Sequence, residues 1–268
     1  MSGAAAITAL RDAKPWPEAI LMPSAAGLGA RLDGRTPADL RDSAQGLADA
    51  CLSAARFLSA DAVWISALAP DGGADFDADF LHDTATRAIA AARNGGLGVV
   101  VELRGPLARA SAAGGDLDPA LKKVKPEVIA EFEAIAKLRP DIIVLAEPVA
   151  SAEQAESRAL VRLYGALKRL AEHYDILKGM CPSLPGMTGP TAPDLAFAHG
   201  PASGSTGRAH AIAPNWNAAG PFAGSVAAAG EEARQNGVSL IVSGDTGLTG
   251  EHEPHLSRDA VQGMRESA

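Results

Sequence analysis

Eight short apolar runs, each separated from the next by a longer polar or amphipathic stretch, set the strongest constraint on how this chain can fold. They lie at 19–22 (AILM), 62–66 (AVWIS), 98–103 (GVVVEL), 141–146 (DIIVLA), 175–180 (DILKGM), 194–198 (DLAFA), 210–214 (HAIAP) and 238–243 (VSLIVS). Runs this short that are apolar on both faces suit strands buried on both sides, and the stretches between them suit crossover helices. In 126–138, Val128, Phe132 and Ile135 fall on one helical face, with Pro126 expected in the first turn. Ser151 reads as a helix cap before the fifth strand. The pattern predicts a (β/α)8 TIM barrel, and 268 residues are the length of one such domain, spanning 1–268.

The segment 181–224 departs from the rhythm. It is rich in Gly, Pro, Ser and Thr and leaves little room for full helices, so the barrel is expected to be trimmed or irregular around strands 5 to 7, as a lid or as an eroded part of the fold.

Composition narrows the function classes. Hydrophobic residues make up 47% and aromatics 4%, so the core is expected to be built from Ala, Leu, Val and Ile. A net charge of -8 with no basic run argues against a phosphate backbone as partner. No apolar run is long enough to span a bilayer and the N-terminus lacks the pattern of a secretory signal, which makes the cytoplasm the expected compartment. Cys51 and Cys181 read as reduced thiols, not a disulfide framework.

In such barrels chemistry gathers beyond the strand C-termini. That rule collects Glu102 and Arg104 after the third run, Glu147 after the fourth, Lys178 and Cys181 around the fifth and His199 after the sixth. It adds His210, Asn215, Trp216 and Asn217 around the seventh, and Ser243, Asp245 and Thr246 after the eighth. Glu102 and Glu147 are candidates for an acid and base pair; alternatively Glu102 pairs with Arg104 or Arg109 and holds a strand end. Cys181 with His199 is a candidate nucleophile pair or half of a metal site, but no CxxC, HxxxH or HExxH spacing occurs. GDTG at 244–247 reads either as an anion-binding turn or as a turn that needs glycine for its angles. EHEPH at 251–255 reads as a solvated loop, and GLGARLDG at 27–34 matches no nucleotide signature.

The text VVVELRGPLARASAAGGD followed by KPEVIAEFEAIAKLRPDIIVLAEPVAS resembles the uroporphyrinogen decarboxylase and corrinoid methyltransferase superfamily, in which a Gly-Pro turn, a small-residue helix and an Asp-strand-Glu-Pro segment occur in this order. LADACLSAARFLSADAVWIS (47–66) and GVSLIVSGDTGLTGEHEPHLSRDAVQGMRES (237–267) are similar to its second strand and its last strand and helix. The resemblance implies a barrel with a site at its mouth. It also marks where this chain departs from the family. Met22-Pro23-Ser24-Ala25-Ala26-Gly27 stands where decarboxylases carry an arginine-rich segment, and Ser66, Ala67 and Leu68 where they place an aspartate, so porphyrinogen decarboxylation is disfavoured. Cys181 matches one ligand of the family's zinc-dependent thiol methyltransferases, but Gly179 and Asp245 replace the expected His and last Cys. A residual set of Cys181, His199 and Asp245 is the remaining zinc alternative, and no tightly bound metal is expected.

What the resemblance leaves is a zinc-free methyltransferase acting on O- or N-methyl groups and passing methyl to a corrinoid, carried by a partner protein, or to tetrahydrofolate. Glu102, Glu147 and Asp245 would lie near the methyl centre, Asn215 and Asn217 would orient the substrate, and Trp216 would stack on a cation or flat ring or plug the mouth. Expected partners are a small-molecule substrate, a corrinoid protein and, for a barrel of this kind, a second copy of the chain; nucleic acid and membrane are not. The alternative is a barrel that has lost catalysis and serves as a binding or scaffold subunit.

Overall fold

A computed structural model describes residues 3–182, 191–197, 203–212, 222–243, 258–259 and 262–263. Its strands are β1 (Ile20–Leu21), β2 (Ala62–Ser66), β3 (Gly98–Arg104), β4 (Ile142–Ala146), β5 (Leu177–Cys181), β6 (Leu195–Ala196), β7 (Ser203–Ser205), β8 (Ala209–Ile212) and β9 (Ser239–Val242). Helices α1 (Gly3–Arg11), α2 (Ala26–Leu32), α3 (Ala44–Phe57), α4 (Ala78–Asn94), α5 (Pro106–Ala113), α6 (Leu117–Lys137), α7 (Ala152–Ala155), α8 (Arg158–His173) and α9 (Phe222–Gln235) intervene.

The fold is a (β/α)8-type barrel whose parallel ladder comes in two arcs, β2-β3-β4-β5-β6 and β1-β9-β8, with β7 added antiparallel to β8. Side chains bridge the two seams. Between β1 and β2, Leu21 N–H donates to the Asp61 carboxylate at 2.9 Å and Asp61 N–H to Leu21 O at 2.8 Å. Between β6 and β8, Thr206 Oγ1 donates to Asp194 O at 2.8 Å, and Arg208 pairs with Asp194 at 3.5 Å. Among the described residues the next elements after β6 are the two strands of the antiparallel hairpin β7-β8, with no helix between them and β6.

Strand periodicity of two divides the core. From β4, Ile142 and Val144 enter the lumen, where they meet Val100, Trp64, Leu177 and Ile7 of α1, while Ile143 and Leu145 pack outward among Phe132, Leu163 and Leu167 of the helices. Burying Phe132 completely contributes roughly 1.5–3 kcal/mol. A third cluster packs Leu21, Leu240 and Val242 against Leu28 of α2 and Val226 of α9. Gly29 is needed where α2 crosses α3: a Cβ there would lie 1.8 Å from Ala50 O.

Caps fix the helix starts, each at about 1 kcal/mol. Ser43 accepts from Gly46 N–H at 3.0 Å, Asp77 from Phe80 N–H at 2.8 Å and Ser157 from Leu160 N–H at 3.4 Å. Ser151 caps only the one-turn α7. The expected start at Pro126 is corrected: α6 begins at Leu117, and Pro126 lies inside it. Ala120, Leu121 and Val124 extend the buried stripe N-terminally, and this packing offsets the hydrogen bond that proline removes. Among the described residues no helix is long and apolar enough to cross a membrane.

Candidate active site at the barrel mouth

The strand registers stack the lumen in layers. Trp64, Val100, Ile142 and Leu177 form an apolar floor; above it Ser66, Glu102, Val144 and Gly179 stand in register; Arg104, Ala146 and Cys181 make the rim. Polarity therefore rises toward the strand C-termini. A cavity of about 850 Å³ opens there, lined by Trp64, Ser66, Glu102, Arg104 and Cys181, with Ser24 following β1.

Among the described residues of β2 to β5 that line this cavity, Glu102 is the deepest carboxyl, at 8% exposure. Trp64 Nε1–H donates to its Oε2 at 3.1 Å, and Trp64 is itself held edge-on by Phe197 at 5.5 Å. Arg104 stands one layer higher and pairs through two nitrogens with Asp75, of the loop between β2 and α4; that hydrogen-bonded pairing raises the guanidinium pKa further. Arg109 does not pair with Glu102: it binds Glu127 at 2.7 Å and also Glu131, outside the mouth. Cys181 ends β5, is buried and borders the cavity.

Glu147 borders the cavity too, and its oxygens are engaged by two helices. They accept N–H groups at the start of α5, from Ala108 at 2.9 Å and Leu107 at 3.4 Å, and the hydroxyl of Tyr164 on α8. Gly105 makes room for this, since a Cβ there would sit 2.0 Å from Oε1. Burial pushes the Glu147 carboxyl up to about 7, against the lowering influence of Tyr164 and the two backbone donors. Glu147 follows the rim residue Ala146, whereas Glu102 stands one layer deeper, in register with Val144.

Lys178 requires a correction of place. It was expected at the mouth, but β5 turns Leu177, Gly179 and Cys181 one way and Lys178 the other, into the helix layer, where it is fully buried. There its Nζ donates to Thr191 O at 2.9 Å and lies 5.5 Å from the Tyr164 ring centroid. Burial and then the neighbouring Lys168 lower its pKa to about 8. His210 likewise faces outward, 3.5 Å from Glu232 of α9. Ser243 follows β9 in the lumen-facing parity of Ile241, and its N–H bonds Ile212 O at 3.0 Å.

His199, Asn215, Trp216, Asn217, Asp245, Thr246 and the 244–247 and 251–255 segments lie outside the described residues. The zinc alternative of Cys181, His199 and Asp245 therefore has one described member; among the described residues no group of three or more His, Cys, Asp or Glu could hold a metal. Sequence reasoning passed over Trp64 and Asp75. Trp64 carried a signal, as a lone aromatic in an aliphatic strand at a lumen-facing parity; Asp75, in a loop, carried none.

No protein-family model and no curated protein sequence matches the chain. Among solved structures, a methyltransferase from Methanosarcina mazei is similar over 99% of both chains, with a TM-score of 0.68 at 14% identity. A D-allulose 3-epimerase from Methylomonas sp. aligns over 95% of this chain and 100% of its own, at a TM-score of 0.49 and 13% identity. An alpha-L-fucosidase from Lactobacillus casei aligns over 97% of both, at 0.48 and 9%. At these identities the likeness is one of fold, and end to end it is the barrel of the methanosarcinal methyltransferase that this chain shares.

Proposed function

We propose that the chain is a methyltransferase that removes an O- or N-methyl group from a small substrate in the mouth cavity and delivers it to a corrinoid or tetrahydrofolate carrier. The observation that supports it most is the cavity itself: a buried carboxylate and an indole, Glu102 and Trp64, at the bottom of an open mouth, on a fold shared along its whole length with a methyltransferase. About 850 Å³ lies within the ~300–1,000 Å³ usual for small-molecule sites and admits a flat pterin; a protein-borne corrinoid would be presented at the open rim. When bound, the carrier supplies the nucleophile that accepts the methyl group.

The chain's own residues supply position and field. Glu102, shielded from water, favours positive charge beside it, as on a methylated nitrogen or an oxygen being protonated. Trp64 holds the Glu102 carboxylate through its N–H and offers a flat surface beside it. Glu147 acts through α5, fixing the helix whose Ala108 and Ser111 wall the cavity; it is a positioning residue.

The test offers the protein ¹³C-methyl-labelled amines and methoxylated compounds, with a reconstituted corrinoid protein or tetrahydrofolate. Labelled carrier should appear, and Glu102→Ala should lower kcat/KM by roughly 10²-fold, typical for loss of one preorganised electrostatic contact. If ligands bind but the carrier stays unlabelled throughout, the chain is a binding or scaffold subunit. Turnover of a porphyrinogen would make it a decarboxylase.

A further inference from the structure

Strand β3 presents two opposite charges to one cavity. Glu102 and Arg104 are alternate residues, so both leave the same face, offset along the strand by about 6.6 Å at ~3.3 Å per residue. The carboxylate is deep and nearly enclosed. The guanidinium is at the rim, with its side chain 39% exposed, and it also borders a second cavity of about 680 Å³ outside the loop between β2 and α4.

Asp75 of that loop occupies the fork of Arg104, with Nη2 to Oδ1 at 2.9 Å and Nε to Oδ2. The loop does not depend on this contact for its anchorage. Arg41 binds Asp71 through Nε at 2.9 Å and Nη2 at 2.6 Å, donates from Nη1 to Ala74 O at 2.7 Å, and covers the Phe76 ring at 5.7 Å. Arg41 thus gives the loop a second anchor, separate from the Asp75–Arg104 pair.

From this geometry we infer that the cavity takes a small zwitterion, its cationic end innermost against Glu102 and the face of Trp64 and its carboxylate replacing Asp75 on Arg104. This rests on reading the cavity as the substrate site. The exchange conserves charge: one carboxylate leaves the forked guanidinium as another arrives, so Arg104 is never left without an anion. A methylated ammonium within about 6 Å of the indole gains a cation–π contact beside the Glu102 charge. Among the described residues lining the cavity Arg104 is the one cation, and it is the group offered to the anionic end.

Three probes of one shape separate the charges: trimethylglycine, choline, which lacks the anion, and 3,3-dimethylbutyrate, which lacks the cation. Calorimetric titration should show trimethylglycine binding about tenfold or more tighter than either, the scale of one charge-assisted hydrogen bond. Arg104→Gln should reduce trimethylglycine to the affinity of choline, and Glu102→Gln to that of 3,3-dimethylbutyrate. Asp75→Asn, which removes the internal competitor, should tighten it severalfold. Equal binding of the three probes, no binding of trimethylglycine, or an unchanged affinity in Asp75→Asn would overturn the inference. Should Glu102→Gln fail to fold, the partly exposed Arg104 and Asp75 variants still decide it. Trimethylglycine preference without methyl loss to either carrier would refute methyl transfer and leave the zwitterion site standing. Methyl loss from an uncharged substrate with no such preference would do the reverse.

Discussion

Replacing Glu147 with Gln should change how stability depends on pH. Burial holds the Glu147 carboxyl at about 7 in the folded chain, against an ordinary value of 4.5. The folded state therefore binds more protons than the unfolded state between these values. Stability from this group is fully present below about pH 4.5 and is lost as pH rises through 7. At ~1.4 kcal/mol per pH unit over ~2.5 units, the loss amounts to about 3–4 kcal/mol. Glutamine keeps the size and cannot titrate. Urea melts of both proteins at pH 5, 6, 7 and 8 cancel the contributions of all other groups, and the variant should gain on the parent as pH rises. A constant difference would mean that Glu147 does not titrate in this range. That flat result would follow if the α5 N–H groups outweighed burial and held the carboxylate ionised, and it would refute the reasoning.

Other substitutions probe the frame and the thiols. Phe132→Ala, in a fully buried position between α6 and the barrel, should cost about 3–5 kcal/mol in denaturant melts. Gly29→Val should lower stability by at least about 2 kcal/mol, because the new Cβ meets Ala50 backbone and not a movable side chain; an unchanged melt would show that α2 can shift. Burial pushes the Cys51 thiol up to about 12, so iodoacetamide at pH 8 should label Cys181, on the cavity wall, long before Cys51, as peptide mass mapping would show.

How much of this was legible in the sequence depends on what each feature rests on. Apolar runs placed the eight barrel strands to within a few residues, and β2 at 62–66 to the residue, because burial on both faces leaves a direct compositional trace. β7 left none: Ser203–Ser205 has no alternation to read. Pro126 misled because its local rule, a preference for first turns, yields to the apolar stripe that runs through it.

At the site, position along a strand proved easier to read than direction. Lys178 was grouped with Cys181 by nearness in sequence, yet a period of two sends them to opposite faces. The same parity, counted from Val100, places Glu102 and Arg104 together in the lumen. The Glu147 contacts with α5 and Tyr164, and the Asp75 contact with Arg104, join segments distant in sequence and left no local pattern.

The proposed site puts substrate on the Glu102–Trp64 pair at the barrel mouth. Nuclear Overhauser contacts from ¹³C-methyl-labelled trimethylglycine to the Trp64 indole, assigned with a Trp64→Phe variant, test it directly. Contacts should appear in the parent, vanish in the variant and weaken in Glu102→Gln. Bound ligand whose methyl contacts survive the loss of Trp64 would contradict it.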